Sequence, residues 1–440
     1  MNCILLLLIL FFISIILIRI FNVNIFNPII ISIYCYIVGL FFCVIMLPYW
    51  KYDLTYKSIV VVSSTFIFMS VCSLCGIIVA NKVKLNKYID KSIEFKEFSY
   101  KKKTIMLIII LMFSISIIKN YVDIARAYGY SGNWFNLTEI SLFIKNSNLT
   151  EGATLKRVNT YMLYCLKGIA YCSIFLFIYN AARLKKNVKS NIYLILFNIP
   201  YLFVIYISGW RTDYIFLTVF TLIILGFNLD FNKKDFKSLL KIALVMFVFF
   251  IIILVLWMFT AFIRMNEQFN FYKIINYVST YFGGGIINFD QYLNGKIDID
   301  VSNVFGKRIF SNIYSYLNRL HILNIDIPSQ FLANDNLINT NIYSGLFRGY
   351  DDFGFIGNNI YLGIIFFIYS FVHSIILKYK NLFFLSILYA FFSYPLCLMG
   401  VDEAFSLYII ATTPLYVIFF YGVVYYIMIF KDNKERLLRK

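Results

Sequence analysis

Residues 58–80 read SIVVVSSTFIFMSVCSLCGIIVA, and the residues that follow, 81–103, read NKVKLNKYIDKSIEFKEFSYKKK. The first stretch carries no charged side chain and exceeds the roughly 18 residues that a helix needs to cross about 30 Å of hydrocarbon. The second stretch is rich in lysine, which is typical of a connection retained on the cytoplasmic side of a membrane. Together they predict a transmembrane helix followed by a cytoplasmic loop.

The apolar composition of this stretch extends over the whole chain. Of the 440 residues, 61% are hydrophobic and only 14% are charged, whereas a soluble domain carries about 25% charged residues. So much Ile, Leu and Phe cannot be buried inside a water-soluble fold, and the surplus must face lipid. The long uninterrupted runs also differ from the alternating segments of a membrane β-barrel. We therefore expect an all-α polytopic membrane protein.

Apolar runs without charge predict about eleven spans. They lie near residues 3–22, 28–48, 58–80, 104–119, 160–182, 192–208, 213–228, 242–262, 358–377, 382–399 and 408–430. With the loop 81–103 placed inside, alternation also places inside the other basic segments, namely residues 183–189, 233–241, 378–380 and 431–440. This agreement predicts an N-terminus outside and a C-terminus inside.

The same alternation leaves a long extracytoplasmic loop, residues 263–356, between the eighth and ninth spans. Loops longer than about 15 residues are usually functional or disordered, and the many Tyr, Phe, Ile and Leu residues here argue against disorder. Residues 304–323 carry apolar residues at helical spacing with basic residues between them, which predicts an amphipathic helix on the membrane surface or over the bundle. We expect residues 1–440 to form a single transmembrane domain that includes this loop.

The net charge of +18 does not indicate nucleic-acid binding here, because Lys and Arg crowd into short loops between spans, as orientation signals do. The eight cysteines all fall inside apolar stretches. Cys72 and Cys75 have zinc-like spacing but lie in a span with no second ligand pair. We therefore expect no metal, no other cofactor and no nucleic-acid partner.

Arginines on the predicted outer side are informative, because the positive-inside bias works against them. Arg211 lies in the very short turn Ile207-Ser-Gly-Trp-Arg-Thr-Asp213, at the membrane boundary. A guanidinium there is costly unless it is paired, and its planar fork suits phosphate. The structural alternative is snorkelling to lipid headgroups or pairing with Asp213. Arg308 and Arg348 are the next candidates for binding an anion.

Acid–base candidates on the same side are Asp351, Asp352 and His321. Adjacent carboxylates can divide roles, one staying ionised beside an Arg and one having a raised pKa, although a helix N-terminus also favours acids for purely structural reasons. The pair Asp402-Glu403 opens the last span and has the same structural alternative. His321 lies on the predicted amphipathic helix and could titrate near neutrality; its alternative is an ordinary surface or core position.

One segment resembles a known signature. Asn341-Ile-Tyr-Ser-Gly-Leu-Phe-Arg-Gly-Tyr-Asp-Asp-Phe-Gly-Phe-Ile-Gly357 runs directly into a span. It resembles the Asn-Val-Tyr-Thr … Asp-Phe-Gly-x-x-Gly signature of Wzy-type oligosaccharide repeat-unit polymerases, which build O-antigen and capsular polysaccharides. Ser208-Gly-Trp-Arg-Thr212 resembles their Ser-Gly-Ser-Arg-Thr turn, with Trp210 where a small residue is usual. The layout, many spans with one large outer loop late in the chain, is also similar.

The resemblance implies a GT-C-like glycosyltransferase of the lipid-carrier type in the bacterial cytoplasmic (inner) membrane, with an extracytoplasmic active site. A growing glycan on undecaprenyl diphosphate would be the donor, and a single lipid-linked repeat unit would be the acceptor. Membrane lipids, a chain-length regulator and a flippase are the other partners that it implies. Because the leaving group is polyprenyl diphosphate, arginines would stabilise the developing charge without a metal.

By position in these motifs, Arg211 and Arg348 take the diphosphate role and Asp352 takes the role of the motif acid. A catalytic base is not carried over, because the good leaving group can make one dispensable. Three alternatives remain: a lipid-linked oligosaccharide flippase or other transporter, an O-antigen ligase with the same leaving group, and a structural component of polysaccharide export. The nearly uncharged span interiors argue against a transporter. His321 in the large outer loop is compatible with a ligase, which therefore stays an alternative.

Overall fold

A computed structural model describes residues 1–84, 100–133, 135–137, 139–141, 143–144, 155–182, 188–208, 212–228, 271–297, 305–326, 338, 340, 342–379, 381–409 and 412–430. Within these ranges the regular structure is helical, and no strand occurs. Seven helices in them are long and apolar enough to cross a membrane. The chain is therefore an all-α multi-pass membrane protein. The count of eleven spans and their orientation stay predictions, and the predicted span 242–262 lies outside the described residues.

The helices of the described residues are listed in chain order. They are α1 (Asn2–Arg19), α2 (Pro28–Trp50), α3 (Tyr56–Lys82), α4 (Tyr100–Ala127), α5 (Arg157–Ala182), α6 (Val188–Leu196), α7 (Ile199–Ser208), α8 (Thr212–Asn228), α9 (Phe271–Leu293), α10 (Ser311–Arg319), α11 (Phe347–Lys378), α12 (Phe383–Phe391), α13 (Tyr394–Cys397), α14 (Ala404–Tyr408) and α15 (Thr412–Tyr425). A π-helical turn, Tyr426–Phe430, follows α15.

The chain divides into two compact units. The first comprises Met1–Lys87, Phe269–Tyr379 and Phe392–Pro414, and the second comprises Tyr88–Gln268, Lys380–Phe391 and Leu415–Lys440. Each unit is thus assembled from segments that are distant in sequence. The expectation of a single transmembrane domain over residues 1–440 stays a prediction.

In the first unit, α3 packs along α11 through both apolar and small polar side chains. Phe66 and Phe366 are fully buried there. The Thr65 hydroxyl donates to the Asn359 side-chain oxygen at 2.8 Å. In an apolar surrounding such interhelical hydrogen bonds favour helix association, so this pair of helices forms a well-defined frame for the segments that precede α11.

The long helix α11 is interrupted near its start. Gly354 has φ 66° and ψ −171°, a conformation that is essentially restricted to glycine. The segment from Phe347 to Phe353 is therefore turned relative to the part that corresponds to the predicted span 358–377. The predicted site residues of α11 all lie in this first, turned segment.

A second irregular segment of the first unit lies between α13 and α14, at residues 398–403. The Gly345 N–H donates to the Met399 carbonyl at 2.9 Å, and the Ser344 N–H donates to the Gly285 carbonyl at 2.9 Å. A Cβ atom on Gly285 would lie only 2.8 Å from the carbonyl oxygen of Val401. The glycine thus allows α9, the residues before α11 and this irregular segment to meet.

The predicted outer loop 263–356 contains two complete helices, α9 and α10, and the first residues of α11 in its described part. The helix predicted at residues 304–323 is shorter, Ser311–Arg319, so the prediction was wrong at both ends. Gly306 has φ 63° and His321 has φ 57°, and neither value is compatible with a helix. Phe310, Tyr314 and Leu317, which share one face at helical spacing, are half-buried.

The second unit has an aromatic core. The Tyr171 ring packs edge-on against Phe220 at 4.5 Å and against Phe391 at 5.3 Å between centroids. These residues belong to α5, α8 and α12. Edge-to-face pairs of this kind stabilise by about 0.5–1.5 kcal/mol beyond the area that they bury, so they help to hold three segments of the unit together.

Candidate functional site

Charged side chains of the first unit converge where its helices are interrupted. The turned segment of α11, the turn before α10 and the irregular segment before α14 each contribute. We call this group the ionic cluster, and its members are Arg308, Arg348, Asp351, Asp352, Asp402 and Glu403. Of the six residues predicted from the sequence, the structure thus joins Arg308 with Asp351 and Asp352 and places Arg348 on the same turned segment as these two acids.

Arg308 is the most tightly held cation of the cluster. Its side chain is only 4% exposed, and its Nε pairs with the Asp351 carboxylate. The guanidinium lies over the Phe347 ring, 5.5 Å from the centroid. Among the described residues nothing hydrogen-bonds its two terminal nitrogens. The guanidinium is therefore oriented by one nitrogen and keeps the donors of the other two for a further group.

Asp351 and Asp352 fix the turn that carries Arg308. Asp351 also accepts a hydrogen bond from the Tyr292 hydroxyl at 2.7 Å. Asp352 accepts from the backbone N–H of Arg308 at 3.0 Å and of Ile309 at 2.7 Å. The two adjacent carboxylates therefore have different roles in this structure. Asp351 orients the guanidinium, and Asp352 holds the backbone of the turn.

Arg348, on the same turned segment, is the second buried cation. Its Nε donates to Asp402 Oδ1 at 3.3 Å, and the backbone N–H of Glu403 donates to the same oxygen at 2.8 Å. Burial raises the pKa of Asp402 above its ordinary value, although Arg348 opposes the shift. The side chain of Asp402 is nevertheless 34% exposed, compared with 8% for Arg348.

Glu403 is completely buried and caps α14. It accepts hydrogen bonds from the backbone N–H groups of Phe405 at 3.0 Å and Ser406 at 3.1 Å, and from the Tyr361 hydroxyl at 3.0 Å. Burial raises its pKa, against the hydrogen bonds and the Arg348 charge that lower it. Glu403 therefore fixes the conformation of the irregular segment that contains Asp402.

The remaining predicted residues lie apart from this cluster or beyond what the structure describes. His321 is exposed in the turn after α10 and makes no described contact with the cluster. Arg211 lies outside the described residues, so its predicted role stays a prediction. Its neighbour Asp213 pairs with Lys167 at 2.5 Å in the second unit, and this ion pair was not predicted.

Two contributors to the cluster were missed by sequence reasoning. Tyr292 and Tyr361 carry no motif, and nothing in the sequence distinguishes them from the many other tyrosines. Asp402 and Glu403 were recognised as acids, but their pairing with Arg348 and Tyr361 depends on tertiary structure. Within the described residues, no group of three or more His, Cys, Asp or Glu side chains could hold a metal ion.

The arrangement is suited to an anion of high charge density. A buried guanidinium with unused donors can stabilise negative charge far better than an exposed one. Comparison with protein-family models, curated proteins and solved structures found no match to this chain. The assignment of a function therefore depends on the geometry of this site and on the sequence motifs.

Proposed function

We propose that the protein polymerises oligosaccharide repeat units carried on undecaprenyl diphosphate, at the extracytoplasmic face of the bacterial cytoplasmic membrane. A sugar hydroxyl of the acceptor attacks the anomeric carbon of the donor, and polyprenyl diphosphate leaves. The product is an O-antigen, capsular or other surface polysaccharide. Arg308 and Arg348 of the first unit bind the diphosphate of the donor.

The main observation in support of this proposal is that only one nitrogen of the Arg308 guanidinium has a hydrogen-bond partner among the described residues. Asp351 and Phe347 hold it in place, while its terminal nitrogens have no hydrogen-bond acceptor among the described residues. Such preorganised donors stabilise the charge that develops on a leaving phosphate oxygen. The residues from 341 to 357, which resemble the polymerase signature, contain Arg348, Asp351 and Asp352 of this same cluster.

Deletion of the gene, followed by gel analysis of surface glycan, tests the proposal. We expect glycan that carries a single repeat unit, because each unit is made and exported but not joined to the next. A normal ladder of lengths would contradict the proposal. Long chains that remain on their lipid carrier would instead identify a ligase.

A second candidate is a lipid-linked oligosaccharide flippase. Interrupted helices favour it, because transporters often place substrate sites at discontinuous helices, and both Gly354 and residues 398–403 interrupt helical structure here. A flippase mutant loses all surface glycan of this type, whereas a polymerase mutant keeps single units. The same gel therefore separates the two functions.

A further inference from the structure

The carboxylates of the ionic cluster differ in how far their oxygens are engaged. In Asp351 one oxygen accepts from Tyr292 and the other pairs with Arg308. In Asp352 both oxygens accept backbone N–H groups. In Glu403 both oxygens accept several donors. These three carboxylates are occupied with holding the structure together.

Asp402 differs from the other three. Its Oδ1 accepts both described hydrogen bonds, from Arg348 and from the backbone N–H of Glu403. Its Oδ2 accepts none from any described residue. The side chain is also more exposed than that of Asp351, at 34% against 18%. Asp402 is thus a carboxylate with one oxygen anchored and the other available, beside a buried guanidinium.

We propose that Asp402 is the general base of the transferase, and that Arg348 is its positioning residue. This assignment rests on the function proposed above. The acceptor hydroxyl oxygen forms a bond to the anomeric carbon as the bond from that carbon to the phosphate oxygen breaks. The electron pair of the broken bond stays on the polyprenyl diphosphate, and the hydroxyl proton passes to Oδ2 of Asp402.

The surroundings of Asp402 suit this role. The charged and titratable groups that face it are Arg348 on α11 and Glu403 next to it, and Tyr361 on α11 is bonded to Glu403. Burial raises the pKa of Asp402, which strengthens it as a base, while Arg348 favours the ionised form that can accept a proton. The rate should therefore fall as the pH drops through the pKa of Asp402.

The test uses the full-length protein in proteoliposomes with lipid-linked repeat units extracted from the deletion strain. Release of undecaprenyl diphosphate is measured between pH 4 and 9, values chosen to bracket carboxyl titration. Asp402→Asn retains an oxygen for Arg348 and for the Glu403 N–H but cannot accept the proton. We expect kcat to fall by about 100-fold or more, with little change in KM and with loss of the acidic limb of the pH profile.

Two further variants make the result specific. Asp402→Glu keeps a carboxylate and should recover part of the rate and the acidic limb. Asp326→Asn removes an exposed carboxylate of the same unit and should match the wild type. An Asp402→Asn enzyme with the wild-type rate or with the same acidic limb would overturn the assignment.

The role of Asp402 can also be tested without Asp402→Asn. If Asp402→Asn does not accumulate in the membrane, the pH profiles of the wild type and Asp402→Glu decide, and a wild-type rate that is flat from pH 4 to 7 would overturn the role of Asp402. If the wild type releases no undecaprenyl diphosphate, the proposed polymerase function itself fails and the general base with it. Polymerisation by Asp402→Asn at the wild-type rate would reject only the base.

Discussion

The two units of the molecule hold their charged side chains in different ways. In the first, the carboxylates of the ionic cluster lie where helices are interrupted, and backbone N–H groups satisfy them, as with Asp352 and Glu403. In the second, Lys167 and Asp213 pair with each other, and the Lys167 ammonium lies over the Phe216 ring at 5.4 Å. Backbone N–H groups thus contribute to holding charge in the first unit, whereas aromatic rings lie beside the ion pair of the second unit.

This difference separates two uses of charge in an apolar environment. An ion pair between helices needs little more than its two members, and apolar residues of similar size can often replace it. A cluster at interrupted helices is costly to build, because each freed backbone group needs a hydrogen-bond partner. We infer that the cluster in the first unit is retained for function, and that the pair in the second unit serves helix packing.

The largest effect is expected for Arg308→Ala. Loss of the guanidinium removes the donors that face the leaving diphosphate, so the polymerisation rate should fall on the order of 1000-fold. Arg308→Lys keeps the charge without the planar fork and should also be severely impaired. The assay is polymer length on a gel, with protein amount checked by immunoblot. Arg319→Ala, an exposed arginine on α10, is the matched control and should give full-length polymer.

Next in size is the effect of Lys167→Met in the second unit. It leaves Asp213 without its cation, which we expect to destabilise the protein by about 3 kcal/mol. The double variant Lys167→Met/Asp213→Leu replaces both charges and should recover most of that stability. Thermal unfolding in detergent measures it. A double variant that folds normally but has lost polymerisation would contradict the packing role.

A smaller loss of stability is expected for Gly285→Ala. The added Cβ would approach the carbonyl oxygens of Gly400 and Val401 to below 3 Å, so the segment that carries Asp402 must shift. We expect a cost of about 1–3 kcal/mol together with reduced activity. Gly422→Ala, where nothing lies within 4 Å of the new atom, is the control. Equal behaviour of the two variants would contradict the close approach.

The smallest effects are expected for the loss of single tyrosine hydroxyls, one from each unit. Tyr292→Phe removes the donor to Asp351 and should lower stability by about 1 kcal/mol. Tyr201→Phe removes a buried hydroxyl of the second unit that faces only the Tyr171 hydroxyl, without a well-formed hydrogen bond, so its unfolding temperature should fall less. Differential scanning fluorimetry resolves both shifts. A larger loss in Tyr201→Phe than in Tyr292→Phe would contradict the comparison.

The helices could be predicted from the sequence wherever hydropathy alone determines that a segment crosses the membrane. The predicted span 58–80 lies within α3, Tyr56–Lys82, because a long uncharged run has no stable alternative in lipid. By contrast, α9 fell inside a predicted loop. Its Asn, Gln, Asp and three consecutive glycines, at 283–285, lower its hydropathy, and only packing against the rest of the unit shows that it is a core helix.

The candidate site could be predicted only in part, for a related reason. Arg308, Arg348, Asp351 and Asp352 were identifiable because charged residues on the predicted outer side are informative or lie in a motif. The pairing of Arg348 with Asp402 joins positions 54 residues apart, and no periodicity in the sequence encodes it. Which oxygen of a carboxylate remains available is likewise set by tertiary hydrogen bonds.

The proposed function requires glycosyl transfer with a diphosphate leaving group at the ionic cluster of the first unit. The most direct measurement is the stoichiometry of the reaction of the purified protein in proteoliposomes with lipid-linked repeat units. We predict one undecaprenyl diphosphate released for each repeat unit added to the growing chain. Repeat units that cross the bilayer still attached to their lipid, with no undecaprenyl diphosphate released, would contradict the account.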